Sequence, residues 1–281
     1  MSERVFSVDT TLPLRLRQAP HETAPILARL EPGQVVARLD EEDREGWFWV
    51  FADVPGDGVY IGYVAGRFLS RRTPGDTPPS AMAASAFAAQ LADCCFDEWR
   101  FFARGAVKEQ DEPARSRIKE YWAALNIHDR DGASPYAWSA AFISFMMRKA
   151  GAGDRFLYAP AHCDYINKAI RDQDRVEAAF RACRPEAYAP QVGDLIARAR
   201  PTRDHPREAT FDTARNIGFY TSHTDIVVAV EPGRIITIGG NVSQSVTQEQ
   251  LPAQANGRIG SATVQARKIF AVLRNALIEP V

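Results

Sequence analysis

SPYAWSAAFISFMMRKAG, residues 134–151, carries both ends of a helix and a polar side chain suited to nucleophilic chemistry. Ser134 is a good N-cap, Pro135 suits the first helical position, and Gly151 follows the last periodic residue. Trp138, Ala141, Phe142, Phe145 and Met146 recur at helical spacing and form the stripe expected to face a core. Ser139 lies one residue round from that stripe, beside Ala140 and Ala141, where small side chains let a strand or loop approach closely. A serine near a helix start is a place where enzymes put a nucleophile, and it is equally a place for a buried structural hydroxyl.

Working outward, Ala81 to Arg104 has Phe87, Leu91, Cys95, Trp99 and Phe102 on one face, and Arg115 to Leu125 repeats through Ile118, Tyr121, Trp122 and Leu125. A shorter helical segment runs from about His162 to Ile170. After Gly193 the period changes to that of strands, in DLIARA, TDIVVAV, RIITIGG and ARKIFAVLR. Helices followed by strands predict an α+β domain with helices packed on an antiparallel sheet. The polar stretch from Arg200 to Ser222 is long for a loop in a compact domain, which suits a substrate rim or a plain surface excursion.

Residues 5–71 read differently. LPLRLR, PILARL, QVVARL, GWFWVFAD and VYIGYVAGRFL are short β-type runs separated by Pro, Gly, Asp and Glu, the spacing of a small barrel. In this order they resemble bacterial SH3-like domains. The resemblance implies a module for targeting or regulation, with cell-wall peptide or a protein partner as its ligand. Trp47, Trp49, Tyr60 and Tyr63 suit either a ligand groove or the barrel core. RRTPGDTPPS, residues 71–80, has no periodicity and marks the boundary. The expected organisation is an SH3-like β-barrel over 1–71, a linker over 72–80 and a second domain over 81–281.

With 281 residues, 46% of them hydrophobic and 25% charged, the chain can build a substantial core, and two domains are the natural expectation. A net charge of −1, from 34 basic and 35 acidic residues, gives no general pull toward nucleic acid or anionic lipid. No apolar run is long enough for a membrane span, and the first residues, MSERVFSVDT, lack a signal-peptide pattern, so a cytoplasmic location or export by a signal-independent route is expected. The four cysteines, Cys94, Cys95, Cys163 and Cys183, read as reduced thiols. Without CxxC, HExxH or a glycine-rich phosphate loop, no metal and no cofactor are expected. His21, His128 and His205 lie in polar turns and read as surface residues.

His223 opens HTDIVVAV, and the turn Glu231-Pro232-Gly233-Arg234 reverses the chain into RIITIGGN. Strict pairing from Glu231 opposite Arg234 sets His223 across from Val242 and Thr224 across from Asn241. A one-residue change in loop length would pair His223 with Asn241, and each such slip also inverts the side chains.

The ordered set EW...FF, YW, WSAAFISFMMRKAG, AHCDYI, GDLI, HTDIVVAV and IGGNVSQSV, across residues 90–260, resembles an uncharacterised bacterial domain family related to the CHAP and NlpC branch of papain-like amidases. The resemblance implies a papain-like fold and hydrolysis of an amide bond, most naturally in peptidoglycan peptide. Matched position by position, it implies Ser139 as nucleophile, His223 as base and Asn241 as the residue that orients the base. It gives Asp194 a structural place at a strand start. Serine stands where those relatives carry cysteine. A hydroxyl must surrender its proton to a base during attack, so Ser139 needs a histidine within hydrogen-bond reach. His162 also fits the pattern and is a further cleft residue, as second base, substrate ligand or oxyanion donor. Trp138, Asp225 and Cys163 are neighbouring cleft residues, although a lone cysteine is more often core and a lone aspartate more often a cap or a solvated charge. Three readings follow: an amide hydrolase, an acyltransferase using the same acyl-enzyme, and an inactive binding module.

Overall fold

The computed structural model describes residues 5–39, 44–54, 58–71, 85–231, 233–259, 263–264, 267–278 and 280, in two compact units spanning Met1–Met82 and Ala83–Val281. The linker expected over 72–80 lies outside the described residues. Together the units contain two antiparallel sheets and four α-helices among the described residues.

In the first unit, β1 (Val5–Val8), β2 (Leu14–Arg17), β3 (Ile26–Leu30), β4 (Val35–Arg38), β5 (Trp47–Val54), β6 (Gly58–Ala65) and β7 (Leu69–Arg71) form a sheet in the order β3-β2-β6-β5-β4-β1-β7. Phe6, Val8, Leu14, Leu16, Leu30, Val36, Val50 and Val64 fill its core, and the strand alternation shows in the buried Leu14 and Leu16 flanking an exposed Arg15. Of the four aromatic residues in question, Trp49 is buried and its ring meets Tyr63 at 4.5 Å, while Trp47, Tyr60 and Tyr63 are half-buried.

In the second unit, α1 (Ala86–Phe101), α2 (Ala114–Ala123), α3 (Ser139–Lys149) and α4 (His162–Arg171) precede β8 (Phe180–Cys183), β9 (Leu195–Ala199), β10 (Ser222–Glu231), β11 (Arg234–Val242), β12 (Ser245–Pro252), β13 (Thr263–Val264) and β14 (Arg267–Asn275). The strands run β12-β11-β10-β9-β14-β13, with β8 also on β14, so β10 is interior, and α1, α3 and α4 all touch it. Of these strands, β8, β12 and β13 are not among those read from the sequence. No helix among the described residues is long and apolar enough to cross a membrane.

The helix read with Ser134 as its N-cap starts four residues later, capped by Trp138. Ser134 Oγ accepts the Asp131 N–H at 2.9 Å and donates to Asp131 Oδ1 at 3.1 Å, closing a local turn instead of capping a helix. Ser139 is therefore the first residue of α3. The far end is as read: Gly151 at φ 81° follows the C-cap Ala150, where only glycine is unstrained.

Two buried carboxylates hold the frame. Glu98 of α1 receives the Arg117 fork from α2 at 2.6 and 2.9 Å and the Tyr121 hydroxyl at 2.5 Å, with Lys149 of α3 at 3.8 Å. Asp194, just before β9, accepts the N–H of Asn275 at 2.7 Å and of Gln191 at 2.8 Å, the structural place expected for it. Burial pushes its carboxyl up to about 7 against the pull of those two N–H groups.

Candidate active site

Helix α3 starts where β11 ends. Gly240 permits the approach: a Cβ there would stand 2.6 Å from the Phe142 side chain and 2.8 Å from the Trp138 ring. Asn241, in the left-handed region at φ 57°, accepts the Trp138 backbone N–H on Oδ1 at 3.1 Å and donates from Nδ2 to Glu109 Oε2 at 3.2 Å. The Trp138 indole donates to the same carboxylate oxygen at 2.8 Å. The first intrahelical bond is Phe142 N–H to Trp138 C=O at 2.9 Å, so the N–H groups of Ser139, Ala140 and Ala141 have no acceptor within the helix.

Ser139 Oγ lies 2.6 Å from His162 Nε2. Two contacts set this distance. Ser144, one turn further along α3, donates to the Ala159 carbonyl at 3.1 Å and accepts its N–H at 3.2 Å, so the segment leading into α4 is tied to α3. On the other side of the ring, His162 Nδ1 meets the hydroxyls of Thr224 on β10, at 2.8 Å, and of Tyr165, which themselves lie 2.7 Å apart. The tautomer with Nδ1–H donating to these hydroxyls leaves the Nε2 lone pair facing Ser139. Burial, helped by the nearby His223 ring, pulls the His162 pKa well below its ordinary value, so the ring is neutral. Burial likewise keeps the Tyr165 phenol protonated.

A second row lies on the neighbouring positions of β10. The His223 ring meets that of His162 edge to face at 5.3 Å, and His223 Nε2 bonds Asp225 Oδ1 at 2.9 Å. Asp225 Oδ2 is 2.6 Å from Arg198 Nη2, and Arg198 Nη1 is 2.6 Å from Glu249 Oε2. His223, Asp225 and Arg198 are each only 1% exposed, so the Asp225–Arg198 ion pair is desolvated. Burial pushes Asp225 up, but His223 and Arg198 more than offset it and hold the carboxyl below the usual range. Burial works against the Arg198 charge, and Asp225 and Glu249 outweigh it. His223 Nδ1 is buried with no hydrogen-bond partner among the described residues.

Strand register explains the row. Glu231 pairs with Arg234, but a bulge at Val227/Ala229 shifts the ladder so that Ile226 faces Ile238. Continued one way, that register sets His223 level with Asn241, the one-residue alternative left open by the sequence. Level does not mean bonded. Asn241 turns to Glu109 and Trp138, while His223 bonds Asp225, which shares its face two residues on. Gly239 makes room for Asp225: a Cβ there would fall 1.7 Å from Asp225 Oδ1. The other oxygen of that carboxylate lies 2.6 Å from Arg198 Nη2, and a distance of 1.7 Å is far inside any real contact. Gly239→Ala is therefore expected to destabilise the protein by about 1–3 kcal/mol in urea unfolding, as an overpacking substitution does.

Of the residues singled out from sequence, Ser139, Trp138 and Asn241 meet at the α3 start, and Ser139, His162, His223 and Asp225 form one contiguous cluster. Ser139 hydrogen-bonds His162 and not His223. Cys163 is 1% exposed and burial raises its thiol pKa, the state of an inert core cysteine. His21, His128 and His205 are exposed, as read. Thr224, Tyr165, Arg198 and Glu249 were missed. Tyr165 stands i+3 from His162 on a helix, and Arg198 alternates with Ile196 on a strand, so period alone could have flagged those two. Among the described residues no group of His, Cys, Asp and Glu is arranged to hold a metal ion.

No curated protein matches the chain. Two solved structures from Trichomonas vaginalis are similar at a low level. NlpC2 is 10% identical at a TM-score of 0.28, covering 97% of this chain and 72% of its own. NlpC1 is 12% identical at a TM-score of 0.25, covering 88% of this chain and 64% of its own. Likenesses this slight carry no inference. Residues 106–274, more than half of the chain, match a family described as an uncharacterised protein conserved in bacteria, and the chain belongs to that family, DUF2272.

Proposed function

We propose that this protein is an acyl-transfer enzyme of papain-like arrangement, with serine in the place of cysteine, that hydrolyses an amide bond. The observation that carries the reading is the 2.6 Å approach of Ser139 Oγ to Nε2 of a buried His162 whose pKa is held well below its ordinary value. Ser139 attacks the carbonyl carbon as its proton passes to His162 Nε2, and His162 then gives that proton to the leaving amine. Nδ1–H stays on the Thr224 and Tyr165 hydroxyls throughout and holds the ring in place. The N–H groups at the α3 start, which have no acceptor within the helix, supply the oxyanion site. Water attacks the acyl-enzyme in the second half of the cycle, with His162 again as base. In this assignment His162 takes the base role expected of His223, and His223 backs it with Asp225. Asn241 positions the nucleophile's helix.

Peptidoglycan peptide is the substrate that fits the family resemblance, and the first unit, read as SH3-like, targets or regulates the second through cell-wall peptide or a protein partner. A fluorophosphonate probe tests the nucleophile: it is expected to label Ser139 in the wild type and to leave Ser139→Ala unlabelled, with His162→Gln labelled far more slowly. Absence of Ser139 labelling in the wild type would contradict the reading. Acyl transfer to an amine is a second outcome favoured by the 3% and 6% exposure of Ser139 and His162, since water is largely kept from them. A transamidated product in the presence of added amine identifies it.

A further inference from the structure

Helix α4 has two working sides. His162, Tyr165, Ile166 and Ala169 are buried, and the first two bond β10, whereas Asp164, Asn167 and Arg171 recur at i, i+3 and i+7 on the other side. Against that other side lies an open cavity of about 480 Å³, lined by Tyr158 and Pro160 ahead of the helix and by Arg215. Its size suits a small ligand or a few residues of peptide.

The polar groups of this cavity are unbalanced. Arg171 and Arg215 both line it, and among the described residues neither has a carboxylate within ion-pair distance. Among the described residues Asp164 is the one acidic side chain lining it. Asn167, 8% exposed, has its Oδ1 occupied by the Tyr220 hydroxyl at 2.9 Å, which fixes the amide and leaves its Nδ2 donors for a ligand. Two guanidinium forks and an anchored amide donor lining one cavity are a recognition set for a carboxylate, because a planar fork meets two carboxylate oxygens at once.

We infer that this cavity binds a carboxylate group of the peptide substrate. That the carboxylate belongs to the substrate rests on the proposed function, and carboxylate recognition by the cavity does not.

The test is calorimetric binding to full-length Ser139→Ala protein of the stem tripeptide L-Ala-γ-D-Glu-L-Lys and of the same peptide with its carboxylates amidated. The free acid is expected to bind about tenfold more tightly or better, as loss of a charge-assisted pair implies. Adding Arg171→Gln and Arg215→Gln together is expected to remove that preference, with circular dichroism unchanged. Equal affinity for the two peptides, binding of neither, or a preference that survives the double arginine change would overturn the inference. Because the protein tested lacks the Ser139 hydroxyl, absence of cleavage by the wild type would leave a measured preference standing. Loss of the preference would leave the Ser139 assignment untouched.

Discussion

Ser139→Ala is expected to lower kcat on a cleavable peptide at least about a thousandfold while KM changes little, because the substituted group makes its essential bond only during reaction. His162→Gln is expected to match it, since an unassisted hydroxyl is a poor nucleophile near neutral pH. The double variant should be no worse than either single one, the mark of two groups that act as a unit. Rate against pH separates this from mere structural damage. His162 is held well below its ordinary pKa by burial and then by His223, so its base form persists under mildly acidic conditions. The acid limb of kcat/KM therefore lies below pH 6.5. His223→Gln can still bond Asp225 but removes one of the influences that depress His162, so the acid limb should move up toward 6.5 while activity above it survives. A limb that stays put in His223→Gln, or full turnover in Ser139→Ala, would sink the assignment of His162 as the base.

Much of this site was legible because it is written at the ends of periodic elements. The helical stripe from Trp138 to Met146 locates α3, and the hairpin through Glu231-Pro232-Gly233-Arg234 locates His223 and Asn241 at the same end of adjacent strands. What could not be read was which histidine meets the serine. The family resemblance put the emphasis on His223, yet the two hydrogen bonds between Ser144 and the Ala159 backbone bring α4 against α3 and deliver His162 instead. No local pattern signals a contact between a helical serine and a loop carbonyl. The start of α3 was misplaced for a related reason: Ser134 has a closer partner in Asp131 than in a helix, and cap propensity does not tell the two apart. Asp225 was underrated because a single acidic residue is usually solvated, and its partner Arg198 sits on the adjacent strand 27 residues earlier, where only the β9–β10 register reveals it.

Arg198 and Asp225 carry the second large effect, on stability. Arg198→Met leaves Asp225 buried without its guanidinium, and Asp225→Ala strands Arg198 between Glu249 and an apolar gap; each is expected to cost about 3–5 kcal/mol, the penalty of an uncompensated buried charge. For a unit of this size that is a fall in Tm of about 6–20 °C by thermal unfolding. The paired change Arg198→Met with Asp225→Leu should recover much of the loss, because desolvating two charges consumes most of what their attraction returns. Acid sensitivity follows with a definite sign. Asp225 has a folded pKa below its ordinary 3.8, so its contribution is present above about pH 4 and is lost as pH falls through the folded value. His162, neutral when folded, takes up a proton on unfolding below pH 6.5, so it too weakens the fold as pH falls. In the double variant the first of these effects is gone and the second remains, so its stability should decline gently from pH 6.5 downward without the steeper loss below 4. If the charge row serves only to hold His223 beside His162, that variant should also be more stable than either single change yet show the raised acid limb of His223→Gln. A charge chain retained for stability alone would leave the limb where it was.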